Sequence, residues 1–432
     1  MDDLIAWKGK ILRKPLYVYG SRQTGKTWVL KKFADESYRN SIYINFLESP
    51  SLRSQFTIDV NVPKLIESFE IIIGYKFNPA QTLIILDEAQ EIPDIIEILN
   101  IVYMKAPQYH IVFAGTPIKN FKIENKDSIK SKVDIVNIYP LTFTEFIQAM
   151  GSEKLASFVE LNDFDSINGH KEDYLDLLKY YFFVGGMPEA VLSYSKNKDL
   201  MDVQLIHKRI LADYERDLVA SAGGEGSIKT RAIWLNVPYQ LEKENKKFIY
   251  SAIKEGARAR EYDGAINWLA DNMLLHKIYR ISSPSAPLID RVDAKAFKLF
   301  LNDVGLLGSL MRVKQDILLE GNYMFTRANE ALTHQYVAQQ LITLKKAEIY
   351  FWTNERNTSE VDFIISDGEQ AIPVEPMAEI NLQSKRLKAF TSKFGSHASI
   401  RLSLNEYSKE GSFTNLPLYA IAAIMYGFRG NS

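Results

Sequence analysis

The chain contains no cysteine. Disulfides, thiolate catalysis and Cys-ligated zinc or iron–sulfur sites are therefore excluded. Histidine is scarce as well: six are scattered over 432 residues, with no metal-binding spacing such as H-x-x-x-H. An excess of one charge is missing, since 52 Lys and Arg face 53 Asp and Glu, leaving a formal net charge of −1. The chain as a whole is no polycation, so contact with nucleic acid would need a local basic patch. No apolar run reaches the ~18 residues of a membrane span. The start, Met1-Asp2-Asp3, is acidic and leads into no signal-peptide core. A cytoplasmic location without a membrane partner is the expectation. What remains is an ordinary globular composition, 46% hydrophobic and 24% charged, long enough for about two to four domains.

Against this plain background stands Tyr17-Val18-Tyr19-Gly20-Ser21-Arg22-Gln23-Thr24-Gly25-Lys26-Thr27. It fits G-x-x-x-x-G-K-[ST], the phosphate-binding P-loop. Gly20 and Gly25 let successive backbone N–H groups turn toward one anion. Lys26 can reach the β- and γ-phosphates as a point charge, and Thr27 offers a hydroxyl to Mg²⁺. The apolar run Leu16 to Tyr19 reads as a strand entering the loop. Trp28 to Ala34 reads as the first turns of a helix whose N-terminus favours phosphate. The candidate contacts to ATP are thus Gly20, Ser21, Arg22, Gln23, Thr24, Gly25, Lys26, Thr27 and Trp28. Asn125-Lys126-Asp127 matches the guanine-reading Asn-Lys-x-Asp only in part, so ATP is preferred to GTP.

Thr82-Leu83-Ile84-Ile85-Leu86-Asp87-Glu88-Ala89-Gln90 runs an apolar strand into two carboxylates and has the form of a Walker B strand. Buried parallel strands read as continuous apolar runs, and ligands sit beyond their carboxyl ends. Asp87 is the candidate for the Mg²⁺ shell and Glu88 for orienting or deprotonating the attacking water. Ile111 to Thr116 is a further short strand, with Thr116 placed to touch the γ-phosphate or that water. Ile135 to Ile138 reads as the last core strand. Pro140-Leu141-Thr142-Phe143-Thr144-Glu145-Phe146 carries Thr142 and Glu145 at capping-box spacing.

The Gly-Ser-Arg-Gln-Thr-Gly-Lys-Thr loop, the Leu-Asp-Glu-Ala-Gln strand end and the Pro-Leu-Thr-Phe-Thr-Glu-Phe segment resemble the AAA-type P-loop ATPases of archaea and bacteria that carry a C-terminal domain of unknown function. The resemblance implies an α/β, RecA-like core with parallel strands ordered 5-1-4-3-2. Tyr181 to Ala190 contains Gly185-Gly186-Met187-Pro188, physically a helix stop, a turn and a helix start. By resemblance it is the family's Gly-x-Pro motif, in a helical lid over the nucleotide. Leu205 to Val219 reads as an amphipathic helix bearing Lys208, Arg209, Arg216 and Asp217. An arginine there could serve as a finger or sensor. Ala220 to Gly226 has the composition of a flexible linker. The spacing over 229 to 283 fits a winged-helix unit with Glu261 to Asp271 as its third helix. Lys254, Arg258 and Arg260 lie just before it, a cluster able to meet DNA phosphates.

In the last part of the chain, Lys298-Leu299-Phe300-Leu301-Asn302-Asp303-Val304-Gly305-Leu306-Leu307 reads as a strand running into a helix and matches the family's Asp-x-Gly-Leu habit. A helix begins at Asn329-Glu330. Strands follow at Ile349 to Trp352, Ser359 to Ile365 and Gln370 to Glu375, the last two joined across Asp367-Gly368. Leu416 to Met425 is expected as a closing helix. Helix Glu330, strand Asp362 and strand Glu375 look like a restriction-endonuclease-type core. In that fold an Asp and a Glu hold Mg²⁺, and a Lys two residues after the Glu activates water. Here Glu375 is followed by Pro376-Met377, so the lysine is absent. Asp362 and Glu375 remain candidate metal ligands of a vestigial site, with Lys385 read as a helix-surface residue and, in the alternative, as a spatial substitute for the lysine.

The expected organisation is a P-loop core at 1–150, a helical lid at 151–220, a winged-helix-like unit at 227–290 and an endonuclease-like α/β domain, expected to be inactive, at 291–432. The expected function is that of an Mg²⁺-dependent ATPase switch whose C-terminal part recognises a partner, with DNA or a protein as candidates. An ATP-gated metal-dependent nuclease and an ATP-binding scaffold with negligible turnover are the rivals.

Overall fold

The computed structural model describes residues 1–116, 126–222, 224–285, 287–326, 330–344, 347–354, 359–366, 370–377, 385–395 and 398–424. Asn125, Gly223, Asn329, the Asp367-Gly368 turn and Met425 lie outside these residues. The chain divides into two units, one of Met1–Tyr139 with Asp271–Met273, the other of Pro140–Ala270 with Leu274–Ser432.

The first unit is built on five strands: β1 (Leu16–Tyr19), β2 (Asn40–Asn45), β3 (Thr82–Asp87), β4 (His110–Gly115) and β5 (Asp134–Asn137). All pair in parallel, in the order β2-β3-β4-β1-β5. Read from the other edge this is 5-1-4-3-2, the order that the resemblance implied. Every residue of β1, β3 and β4 is buried. Alternate side chains of β3 explain why its run is unbroken. Leu83 and Ile85 join a cluster with Trp7, Leu30 and Phe33, while Ile84 and Leu86 join another with Phe69, Ile98 and Phe113. A sheet covered on both faces has no polar face to alternate with. The register sets Tyr19 beside Gly115 and Asn45 beside Asp87, so the loops after β1, β3 and β4 leave from one edge of the sheet.

The second unit combines helices with an eight-stranded mixed sheet. The strands are β6 (Leu275–Ile281), β7 (Val292–Leu301), β8 (Glu348–Thr353), β9 (Glu360–Ser366), β10 (Ala371–Pro376), β11 (Ser399–Ser403), β12 (Ser408–Glu410) and β13 (Phe413–Pro417), ordered β12-β13-β11-β10-β9-β8-β6-β7. The three strands expected around Tyr350, Asp362 and Glu375 are β8, β9 and β10. The last two pair antiparallel as the intervening turn required. The closing segment differs from expectation. Leu416 and Pro417 belong to β13, paired with β11, and only Leu418–Ala423 turns, as a 3-10 helix.

The helices include Phe143–Ala149, Lys171–Val184, Pro188–Asn197, Leu200–Ala222, Gly224–Leu241, Ala259–Asp271 and Glu330–Ile342. The first carries the capping box, with the Glu145 N–H on Thr142 and the Thr142 N–H on the Glu145 carboxylate. The flexible linker expected at 220–226 is not what forms. Helices run to Ala222 and again from Gly224. They pack on each other through Tyr214 and Trp234, whose rings lie 6.0 Å apart, with Leu218, Ile233 and Val237 buried beside them. Burial of an apolar face outweighs the weak helix propensity of Gly224 and Gly226. Of the span expected as winged-helix-like, β6 lies inside the large sheet, between β7 and β8. Arg209 and Arg216, the finger candidates, pair with Glu189 and Asp213.

Three stretches singled out in the sequence meet in one buried polar network. Asp303, fully buried, caps its own helix by accepting from the Leu306 N–H at 3.0 Å and accepts from the Gly186 N–H at 2.6 Å. Gln339 donates to the same carboxylate at 3.2 Å and to the Tyr181 hydroxyl at 3.1 Å. That hydroxyl donates to the Leu141 carbonyl at 2.5 Å, and Gln340 accepts from the Phe143 N–H at 3.0 Å. Gly186 must be glycine here, because a Cβ would stand 2.1 Å from the Leu141 carbonyl oxygen. Buried polar groups need partners, and this network supplies them from segments far apart in the chain without any ligand. Burial raises the Asp303 pKa, opposed by its N–H donors and by His207.

Candidate functional site

At the carboxyl edge of the parallel sheet, β1 turns directly into the loop 20–25 and then into helix Lys26–Ser37, with Gly25 as its N-cap. Gly20 is pressed against the residue that follows β5, where a Cβ would come within 2.4 Å of the Ile138 carbonyl oxygen. Gln23 adopts a left-handed φ of 63°, the kind of backbone cost that a ligand-binding loop carries. Thr24 is buried and braces the turn by donating to the Ser21 carbonyl at 2.8 Å. Lys26 folds over the loop, donating to the Gly20 and Ser21 carbonyls at 2.9 and 2.7 Å. Burial lowers its pKa to about 8, against the raising effect of Glu88 and Asp87. Arg22 and Trp28 are exposed. Trp28 keeps 64% of its surface open and carries the Lys32 ammonium 5.1 Å from its ring.

Two sequence motifs sixty residues apart meet at Asp87. The Thr27 hydroxyl donates to Asp87 Oδ2 at 2.6 Å. The Tyr43 hydroxyl, on β2, donates to the same oxygen at 2.9 Å. Burial and this bond push the Tyr43 pKa above the usual phenol range. Oδ1 accepts the Glu88 N–H at 3.0 Å. Glu88 itself has a left-handed φ of 55° and accepts a 2.5 Å bond from the Gln90 side-chain amide. Thr116 follows β4 and accepts a long, 3.4 Å bond from Tyr17 on its carbonyl. The residues fit a Mg²⁺-bound triphosphate. A hydroxyl and a carboxylate already share one point, and the Lys26 ammonium is hydrogen-bonded to loop carbonyls that a phosphate can replace. Tyr43 and Gln90 were not singled out by the sequence. Gln90 stood inside the Leu-Asp-Glu-Ala-Gln segment, whereas Tyr43 shows no local signal and arrives through strand register.

Residues 12–147 match the family model described as an AAA domain. The first unit is an AAA-type P-loop domain. Beyond it, residues 175–317 match a domain of unknown function (DUF8612) and residues 329–421 another (DUF4143). Solved structures similar to the chain include the Walker-type ATPase PABY2304 of Pyrococcus abyssi (13% identity, 72% of this chain and 95% of that one, TM-score 0.42). Others are the Aeropyrum pernix ORC1 protein in complex with DNA (13%, 72% and 90%, TM-score 0.28) and a point variant of Thermotoga maritima RuvB (12%, 63% and 85%, TM-score 0.28). At such scores the likenesses add nothing to what the AAA domain's own sheet order shows. No curated protein matches the chain. No helix among the described residues is long and apolar enough to cross a membrane.

The other pair of candidate ligands sits in the second unit. Asp362 on β9 and Glu375 on β10 are both buried. The antiparallel register ends with Val374 opposite Phe363, the residues next to Glu375 and Asp362. Asp362 Oδ1 lies 3.1 Å from the Lys298 ammonium and 3.3 Å from His334 Nε2, and Oδ2 lies 4.0 Å from Arg386. Burial raises the Asp362 pKa, but Lys298 and then His334 outweigh it and hold the group well below the usual carboxylate range. Glu375 is the β10 neighbour of Arg401 on β11. Met377 donates its backbone N–H to the Leu402 carbonyl, closing the strand end. The side chain of Lys385 lies outside the described residues. Lys298 and His334 are the residues that sequence reasoning missed. Lys298 was visible as a charge inside an apolar strand.

Proposed function

We propose that the AAA domain binds and hydrolyses ATP with Mg²⁺, and that the second unit recognises a partner according to the nucleotide state. One observation carries the first half: Thr27 and Asp87 share a 2.6 Å bond, which supports reading the two as ligands of a nucleotide-bound cation. Mg²⁺ would draw charge from the phosphate oxygens, with Thr27 and Asp87 as the residues to hold it. The 20–25 loop presents backbone N–H groups to phosphate, and Lys26 adds a point charge. Arg22 and Trp28, exposed at the loop, are placed to meet the rest of the nucleotide. Glu88 takes the water proton as general base. Gln90 holds the Glu88 carboxylate by one bond, which orients that base. Thr116 offers a polar contact at the end of β4. The location proposed with this reading is cytoplasmic.

DNA is the partner favoured by one feature of the second unit. Lys254, Arg258 and Arg260 are exposed in the stretch before helix Ala259–Asp271 and at its first residues. Such a cluster suits phosphate contacts, whatever the base sequence.

Phosphate release measured with and without duplex DNA tests both halves. Steady turnover that DNA stimulates, with the stimulation fading as salt rises, supports the reading. Turnover indifferent to DNA removes that partner, and no turnover at all leaves the scaffold alternative. Glu88→Gln should keep ATP binding while hydrolysis falls by about 10²-fold or more, since an amide cannot accept the proton.

A further inference from the structure

We propose that the C-terminal sheet has exchanged its divalent-cation site for internal cations, with the Lys298 ammonium holding Asp362 together with Glu360 and Arg401 serving Glu375. The Asp362 and Glu375 pairing suggested a vestigial metal site, but the residues around it do not fit a metal. Lys298 comes from β7, is completely buried, and contacts the carboxylates of both Glu360 and Asp362. His334, from helix Glu330–Ile342, takes up the remaining approach to Asp362 Oδ1, and Arg386 stands off Oδ2. Glu375 is flanked by Arg401, on which its negative charge acts as the largest raising influence after burial has lowered the guanidinium pKa. A fourth carboxylate, Glu330 at the start of its helix, accepts from the buried Lys246 at 3.0 Å. Each acidic group therefore already faces a cation belonging to the chain. Among the described residues no three His, Cys, Asp or Glu side chains gather as metal ligands.

The physical consequence is exclusion. A Mg²⁺ or Mn²⁺ ion needs several oxygen ligands with free lone pairs. To reach Asp362 it must displace Lys298 from that carboxylate, and a completely buried ammonium that loses one of its two counter-charges is disfavoured. Adding a divalent charge would also leave the cluster with a surplus of positive charge in a poorly solvated place. Met377 is then not the essential defect. A lysine is present, but it comes from another strand and acts as counter-ion in the metal's place. This makes metal-dependent cleavage of nucleic acid the wrong expectation for the domain, independently of whether the AAA domain turns over ATP.

The test uses the full chain without nucleotide, titrated with Mn²⁺. The readout is the NMR signal of the His334 ring, which a paramagnetic ion on Asp362 would erase. In the parent the signal should persist through millimolar Mn²⁺. In Lys298→Met it should vanish at Mn²⁺ concentrations about tenfold lower or less, because two freed carboxylates then form a hard-oxygen site. Erasure in the parent at low Mn²⁺, abolished by Asp362→Asn, would overturn the proposal. So would a folded Lys298→Met chain that gains no affinity. Should that variant fail to fold, the parent titration alone decides between the two outcomes.

Discussion

Asp87 and Asp362 are alike in place and opposite in company. Each sits on a sheet strand with 4% of its surface exposed. Asp87 is held by the neutral hydroxyls of Thr27 and Tyr43, while Lys26 donates to loop carbonyls. Asp362 is held by a bond from the Lys298 ammonium, with His334 Nε2 at 3.3 Å and the Arg386 guanidinium at 4.0 Å. Hydroxyl bonds satisfy lone pairs without carrying a counter-charge of their own, which leaves the carboxylate open to an incoming cation. Charge-assisted bonds cancel it and are stronger. A buried carboxylate on a strand is thus a cation site only where the fold leaves its counter-charge out.

The largest expected effect falls on the nucleotide side. Lys26→Ala should abolish measurable ATP binding, read by fluorescence or calorimetric titration. ATP affinity equal to the parent's would refute the P-loop assignment.

Next comes the contrast itself. Asp362→Asn leaves the buried Lys298 with Glu360 as its one remaining carboxylate and should lower unfolding stability by about 1.5–3 kcal/mol in denaturant titration. Asp87→Asn without nucleotide should cost only about 1 kcal/mol, because its partners are hydroxyls. Equal losses would break the comparison. Acid gives a second view. The folded pKa of Asp362 is depressed, so its contribution is present above the unfolded carboxylate pKa and is lost as pH falls through the folded one.

A smaller effect concerns pH above neutrality. The Lys26 pKa is lowered to about 8, so the free site loses its ammonium as pH rises through that value. ATP affinity should weaken by roughly tenfold per pH unit above it, where an ordinary lysine would hold the affinity flat to about pH 10. A flat profile from about pH 7 to 10 would contradict the burial argument. The smallest change is Tyr43→Phe, which removes one of two hydroxyls from Asp87 and should shift stability by about 0.5–1.5 kcal/mol.

Much of the AAA domain was legible in the chain because its signals are local. A glycine-rich loop between an apolar strand and a helix can be recognised without knowing what lies opposite, and an unbroken apolar run can be read as a strand covered on both faces. The capping box of Thr142 and Glu145 is equally local. The order 5-1-4-3-2 came by resemblance and the register bears it out. Where composition alone spoke, as at Ala220 to Gly226, it misled, since the packing of Trp234 on Tyr214 decided for helix.

The sequence by itself determined the P-loop, the paired carboxylates at the end of β3 and the strands that carry Asp362 and Glu375. Only the tertiary structure decided which charges face them. Lys298 is 64 residues from Asp362 and Tyr43 is 44 from Asp87, and no periodicity links either pair. A carboxylate's chemistry depends on the few ångströms around it. Those are filled by strands and helices brought together through burial of apolar surface, a force without regard for the polar groups it carries along.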